Sequence, residues 1–506
     1  MKKNFKYLYV VLLGFLIVSC NKLDLNENPK QPTNVGTKLR LPAIEANLAY
    51  SLYSQARFAA YHSYYFTMRT GNNDAITDTW NYNGILRQAS WRFHYFDVGA
   101  NVNDMLKKAM EEKSNNYAGV GKIILAYSYL TTTDVFGDLP FSEAFTDSFN
   151  PKYDSQEQVL QGIEKLLDEG IADLNNVSEL ASTMNDKSDL IYKGDLNKWK
   201  SFALATKARL KLRTANFKGG YQELLTIVND ALAGFSDAIF MYPLDSKVTW
   251  ERNLWGPARS QPEWNFAVIT NKLNETLPTD VFMKSLTVDA ANNIYDPRLY
   301  KLTTPGDNNK YLGAKLTEGL KDASLPNKTD QKDFANLYGG LWTKDDSPFP
   351  ILLKEELYFI KAEAQFYLED YDGALKSYQE GISLNMKRLE IPDGQIINFL
   401  GSSKVAQDGG SLKISHIMMQ KYVALYLQPE TWSDIRRYGY STTAYPDFYY
   451  PKYALNEWQG RYIQRFPYDP ETEYVYNPKE IARLGATARN WCFTPVWWAE
   501  MSTLKN

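Results

Sequence analysis

The chain has 506 residues, 44% of them hydrophobic and 23% charged, and its 56 basic and 59 acidic side chains leave a net charge of −3. A balance this close, with no long run of either sign, argues against nucleic acid and anionic surfaces as partners. The length exceeds what one ordinary core organises, which implies either two to three domains or a repeat array with attachments.

The N-terminus starts with a basic patch, Met1-Lys2-Lys3-Asn4-Phe5-Lys6, followed by an apolar run from Tyr7 to Val18. That is the profile of a signal peptide; about a dozen apolar residues fall short of the roughly 20 that span a bilayer as a helix. The run closes on Ile17-Val18-Ser19-Cys20, which resembles a bacterial lipobox, so residues 1–19 are expected to be removed and Cys20 to carry lipid. Each buried methylene of an acyl chain contributes about 0.8 kcal/mol, enough for two or three chains to hold a protein at a membrane. Cys492 is the other cysteine, so the mature chain cannot close an internal disulfide. Residues 20–38 read as an extended tether, polar and carrying Asp24, Glu27, Pro29 and Pro32.

Apolar positions recur at helical spacing from Leu39 to Arg69 and from Trp91 to Glu112, with Asn72-Asn73-Asp74 as loop chemistry between them. The segment from Val120 to Leu130 predicts an amphipathic helix, which Gly137 and Pro140 end. Further helices are expected over Asp154–Asn175, Trp199–Phe217 and Tyr221–Gly234. Lys354–Asn385 resembles a tetratricopeptide repeat. With Ala374 as the small residue of its second helix, Ala362 lies twelve before, Tyr371 three before, Tyr378 four after and Gly381 seven after. One such repeat cannot bury its own faces, so hairpins are predicted near 120–175, 199–234, 354–386 and 411–440. Segments 240–350 and 441–506 lack periodicity, and irregular stretches of that length are usually functional.

Catalytic signals are weak. Glu355-Glu356 and Asp345-Asp346 read as solvated faces, since glycosidase carboxylates are defined by separation in space and not by adjacency. His62, His94 and His416 form no metal-binding spacing, and neither a G-x-S-x-G elbow nor a phosphate loop occurs. Thus no cofactor is expected, although Asn72, Asn73, Asp74 and Asp78 offer oxygens to a structural calcium ion. Trp432, Asp434, Arg436 and Arg437 look like a site but read better as ion pairs, within a helical turn of their carboxylates, that fasten the C-terminal segment. Aromatics make up 14% of the chain, and three tryptophan-bearing loops combine flat rings with amides and carboxylates. The ligand-binding candidates on them are Asn73, Asp78, Trp80, Tyr82, Trp250, Trp255, Trp264 and Trp342.

Several of these stretches, taken in order, resemble the SusD/RagB family of nutrient-binding outer-membrane lipoproteins, in its branch with a short Asn-Pro tether. They are Ser19-Cys20 with Asn28-Pro29; Asp134-Val135-Phe136-Gly137-Asp138-Leu139-Pro140; Asp296-Pro297-Arg298; Ala362-Glu363-Ala364; Glu430 to Tyr440; and Arg465-Phe466-Pro467-Tyr468. Ile463-Gln464 and Ser441 depart from the family's usual Pro-Arg and Pro. The resemblance implies an all-α body of about four tetratricopeptide-like hairpins, forming one domain over 39–506 with a large irregular ligand-facing half. It also implies a non-enzymatic binder on the outer face of the outer membrane, with an exported glycoside hydrolase as the less favoured alternative. Its implied partners are a SusC-like TonB-dependent transporter and a ligand, oligosaccharide or, in the RagB manner, peptide.

Overall fold

The computed structural model describes residues 35–69, 80, 89–242, 252–257, 273, 276–454 and 460–504. The expected signal peptide, Cys20 and most of the tether lie outside them.

Ten helices carry the body. They are α1 (Thr37–His62), α2 (Asn101–Glu111), α3 (Asn115–Phe136), α4 (Gln156–Asn175), α5 (Leu196–Lys218), α6 (Tyr221–Gly234), α7 (Lys354–Tyr367), α8 (Tyr371–Arg388), α9 (Ile414–Ala424) and α10 (Glu430–Arg437). Their boundaries follow from local chemistry. Ser155 caps α4 through a reciprocal capping box with Gln158, and Asp195 caps α5 by accepting from the amides of Asn197 and Lys198. The α5 helix ends at Gly219, whose φ of 65° suits a residue without Cβ.

Helix α3 pairs with α4, α5 with α6 and α7 with α8, and each hairpin leans on the next, with α9 and α10 extending the stack. This is the all-α, tetratricopeptide-like architecture expected, and it buries faces that one hairpin alone would leave wet. Where α7 and α8 touch, Ala362 and Ala374 are fully buried. A Cβ on Gly381 would stand 3.0 Å from the Phe359 ring. Helices α3 and α4 approach still closer: a Cβ on Gly119 would come 2.9 Å from the Gly170 carbonyl oxygen, and one on Gly170 would come 3.0 Å from that of Gly119.

The helix predicted to run to Arg69 stops at His62, and Phe66–Met68 becomes a strand instead. The run before α2 is helical from Ala89, but Phe93–Ala100 is a π-helix, in which Gly99 leaves room for the Phe145 ring. Strands are short and paired in twos: β1 (Phe66–Met68) with β3 (Thr276–Pro278), β2 (Ala238–Phe240) with β6 (Phe349–Leu352), and β4 (Thr287–Asp289) with β5 (Ile294–Tyr295). All are antiparallel, and the first two pairs join segments more than a hundred residues apart. They pin the irregular half onto the helices. One contiguous apolar core runs through both halves, and a satellite of Leu277, Ala314 and Phe334 lies apart from it.

Candidate functional site: a cleft among the loops

A buried ionic lattice sets the frame. Arg209 of α5 donates to both oxygens of Glu356 on α7, and Arg213 bridges Asp134 of α3 at 2.8 Å and Glu430 of α10 at 2.6 Å. Arg437 of α10 grips Glu363 of α7 and Asp434, while Lys421 of α9 reaches Asp434 at 2.7 Å. Burial by itself would raise the Asp434 carboxyl, but Lys421 and Arg437 outweigh it and hold it at about 2.

The structure corrects two readings from the sequence. Glu355 and Glu356 are fully buried, Glu355 paired with Arg388 and Glu356 with Arg209, so they are not a solvated face. Arg436 pairs with no carboxylate of its own helical turn. Its guanidinium donates to the carbonyls of Asp134 (2.6 Å), Gln464 (2.8 Å) and Trp432 (3.2 Å) and lies 4.0 Å over the Trp432 ring. Desolvation lowers its pKa to about 9.

Against this frame the loops form a cleft of about 610 Å³, lined by Leu273, Thr276 and Leu277 and by residues from 305–307 and 330–338. Strand β3, held by β1, contributes Thr276 and Leu277 to the lining, and the bridges Thr304↔Asn336 and Leu312↔Phe334 tie the 330–338 segment to its neighbours. Leu277 and Phe334 form the apolar floor. The rim is polar: Asp307, Asp330, Lys332 and Asn336 are exposed, and Gln331 and Tyr338 are half-buried. Lys332 sits 3.4 Å from Asp307, and Gln331 accepts a hydrogen bond from Arg69 at the end of β1. Gly306 lets two loops cross, since a Cβ there would fall 2.5 Å from the Phe334 carbonyl. An apolar floor with a ring of convergent donors and acceptors, in a volume of a few hundred cubic ångströms, suits a small organic ligand. No group of three or more His, Cys, Asp or Glu side chains able to hold a metal occurs among the described residues. His62 and His94 are buried, and desolvation lowers each to about 3, so both are neutral.

Trp80, Trp255 and Trp342 are all buried in this structure. Trp80 is 0% exposed, wedged among His62, Tyr450 and Tyr462. Trp255 packs edge-on against Tyr53 at 4.7 Å, and Trp342 is buried beside that segment, where Asn253 donates to its carbonyl at 2.7 Å. The 252–257 and 338–342 segments therefore do converge, but they turn their indoles inward, because a large apolar ring gains most from full burial. Gly340 follows the same logic: a Cβ there would strike the Leu302 carbonyl at 2.1 Å. Asn73, Asp78, Tyr82, Trp250 and Trp264 lie outside the described residues, as does the calcium candidate at Asn72, Asn73, Asp74 and Asp78. The cleft residues Asp307, Asp330, Lys332 and Asn336 were not singled out in the sequence. Each is an ordinary loop polar residue until the strand pairing gathers them.

Residues 29–468 match a SusD-like family model described as "Starch-binding associating with outer membrane". No curated protein matches the chain. Among solved structures, a chitin-binding SusD homolog from Flavobacterium johnsoniae is 19% identical, with a TM-score of 0.70 over 92% of this chain and 98% of that one. A SusD homolog from Parabacteroides distasonis is 19% identical, with a TM-score of 0.69 over 93% and 98%. A SusD/RagB family protein from Bacteroides thetaiotaomicron is 20% identical, with a TM-score of 0.65 over 92% and 99%. At these identities the structures show the shared fold, and together with the family match over most of the sequence they establish that the chain belongs to the SusD-like family.

Proposed function

We propose that the protein is a lipoprotein of the outer-membrane surface that captures a nutrient, first of all an oligosaccharide, and hands it to a SusC-like TonB-dependent transporter without chemistry of its own. The observation that carries this reading is the family match over residues 29–468, whose description joins starch binding to the outer membrane. The chitin-binding relative favours a glycan over a peptide. A cleft with an apolar floor and a neutral-to-mixed polar rim suits a ligand rich in hydroxyls. No helix among the described residues is long and apolar enough to cross a membrane, and acyl chains on Cys20 would supply the attachment.

The test has three parts. Wild-type protein should partition with the outer membrane and Cys20→Ala should not; equal partition ends the anchoring claim. Detergent extracts at native expression should yield a barrel protein together with this chain, and repeated isolation of the lipoprotein alone ends the transporter claim. Maltoheptaose and chitohexaose should stay intact on incubation, and their cleavage would make the protein an enzyme.

A further inference from the structure

Arg436 is fully buried on α10, yet no carboxylate of the described residues forms an ion pair with it. Besides the three carbonyls that hold its guanidinium, it meets Ser433 Oγ at 3.2 Å and the Trp498 ring at 5.0 Å. The Asp134 carboxylate is taken by Arg213. Carbonyl dipoles and ring faces orient a cation but bring no net negative charge, and a buried charge without a counter-charge is costly. Burial holds the Arg436 guanidinium below its ordinary value, with Arg213 and Arg465 adding to the effect and Asp134 opposing it.

Two more arginines stand close by. Arg465 is buried, lies 4.2 Å over the Trp491 ring and donates to the carbonyls of Thr494, at 2.8 Å, and Pro495. Arg461 is exposed and makes no hydrogen bond or ion pair with any described residue. Arg436 and Arg461 line one cavity of about 420 Å³ together with Tyr462, Gln464, Phe493 and Thr494, and no Asp or Glu of the described residues lines it. Arg465 stands behind its Thr494–Pro495 edge. The walls are fixed. Tyr462 stacks on Tyr440 with ring centroids 4.2 Å apart, and the Gln464 backbone donates to the Cys492 carbonyl at 2.8 Å while its own carbonyl accepts from Arg436. The side-chain amide of Gln464 has no partner among the described residues. This cavity shares no lining residue with the loop cleft.

We propose that the cavity is an anion site that takes a dianionic phosphate group, either the free ion or the terminal phosphate of a small monoester. Arg461 offers a fork of N–H donors that matches two oxygens of a phosphate, and the Gln464 amide and Tyr462 hydroxyl add donors beside it. Arg436 and Arg465 supply positive charge from the buried side, where salt screens it least. Three positive charges attract a group of nearly two negative charges more strongly than a carboxylate with one, and a neutral ligand least. The rings of Tyr462 and Phe493 leave an apolar wall for the organic part of a monoester. Because the walls are set in advance, little freedom is lost on binding.

Calorimetry on the full chain, in detergent and a phosphate-free buffer of low ionic strength, tests this with inorganic phosphate, glycerol 3-phosphate and acetate as probes. At least one of the two phosphates should bind with a Kd below about 1 mM and raise the melting temperature, and acetate should bind about tenfold more weakly or not at all. Arg461→Gln removes no contact of the fold, so it should melt like the wild type without ligand and bind phosphate about tenfold more weakly. Gln464→Glu places a carboxylate in the cavity; it should abolish phosphate binding and raise the melting temperature of the ligand-free protein. Tighter binding of glycerol 3-phosphate than of inorganic phosphate assigns the site to a monoester, and equal or weaker binding assigns it to the free ion. The site is overturned if neither phosphate binds the wild type, if acetate binds as tightly as phosphate, or if either variant keeps wild-type affinity. An unchanged or lowered melting temperature in Gln464→Glu overturns it too, since no excess positive charge would then face the cavity.

Discussion

Arg209 and Glu356, 147 residues apart in sequence, form a two-pronged pair in the core, with Nε 2.8 Å and Nη2 2.6 Å from the two carboxylate oxygens and neither side chain open to solvent. The pair locks the second hairpin to the third. Removing Glu356 takes from Arg209 its two-pronged partner and leaves it Glu430, at 3.4 Å, as its only carboxylate. Breaking a buried pair in this way costs about 3–5 kcal/mol, whereas replacing both members by apolar residues of similar volume costs far less. Glu356→Ala should therefore lower stability toward urea by that amount, and Arg209→Met with Glu356→Leu should recover most of the loss. A double variant as unstable as the single one would show that the pair itself, and not the stranded charge, carries the energy.

Acid should weaken the fold below neutrality through the buried histidines. His62 and His94 titrate near 3 when folded, because desolvation disfavours their charged form, and near 6.5 when unfolded. Between those values the unfolded chain binds protons that the folded one does not, so stability is full above about 6.5 and falls toward about 3 by up to roughly 1.4 kcal/mol per pH unit for each histidine. His94 is held by Ser128 at 2.8 Å. Urea midpoints of His94→Gln, measured from pH 7 to 4, should slope less than those of the wild type; an identical slope would remove His94 from the acid response.

Trp80→Ala, Trp255→Ala and Trp342→Ala should each cost about 3–5 kcal/mol, since each removes a buried indole and leaves a cavity. Melting should fall in all three. A variant that melts like the wild type yet loses glycan affinity would mean that its ring leaves the core to meet the ligand.

The reciprocal contact of Gly119 and Gly170 predicts that Gly119→Ala and Gly170→Ala force α3 and α4 apart, at about 1–3 kcal/mol. Gly394 is the control: it lies in the helix Asp393–Leu400, where an added Cβ would meet nothing within 4 Å, so Gly394→Ala should stabilise by up to about 1 kcal/mol. Chemical denaturation of the three variants separates packing from propensity.

What the sequence determined by itself was the helical frame. Ala362, Ala374, Tyr378 and Gly381 stand at spacings that only a close helix pair satisfies, and α7 and α8 form over them because helix periodicity is a local property, readable within a dozen residues. The order of short motifs carried the family, and the Asp-Pro-Arg and Trp432–Arg437 stretches stood out before their roles were visible. Their roles were tertiary. Arg436 turned to the carbonyls of Asp134 and Gln464, which α3 and a distant loop bring to it, and not to the carboxylates of its own turn. Trp80, Trp255 and Trp342 carry no sign in sequence of what they pack against; contacts with Tyr450, Tyr53 and the 252–257 segment bury them. The cleft came from strand pairings and loop crossings that join residues far apart in the chain. Side-chain direction in an irregular segment has no period to read, so only the long-range packing that pins the loop decides which groups meet.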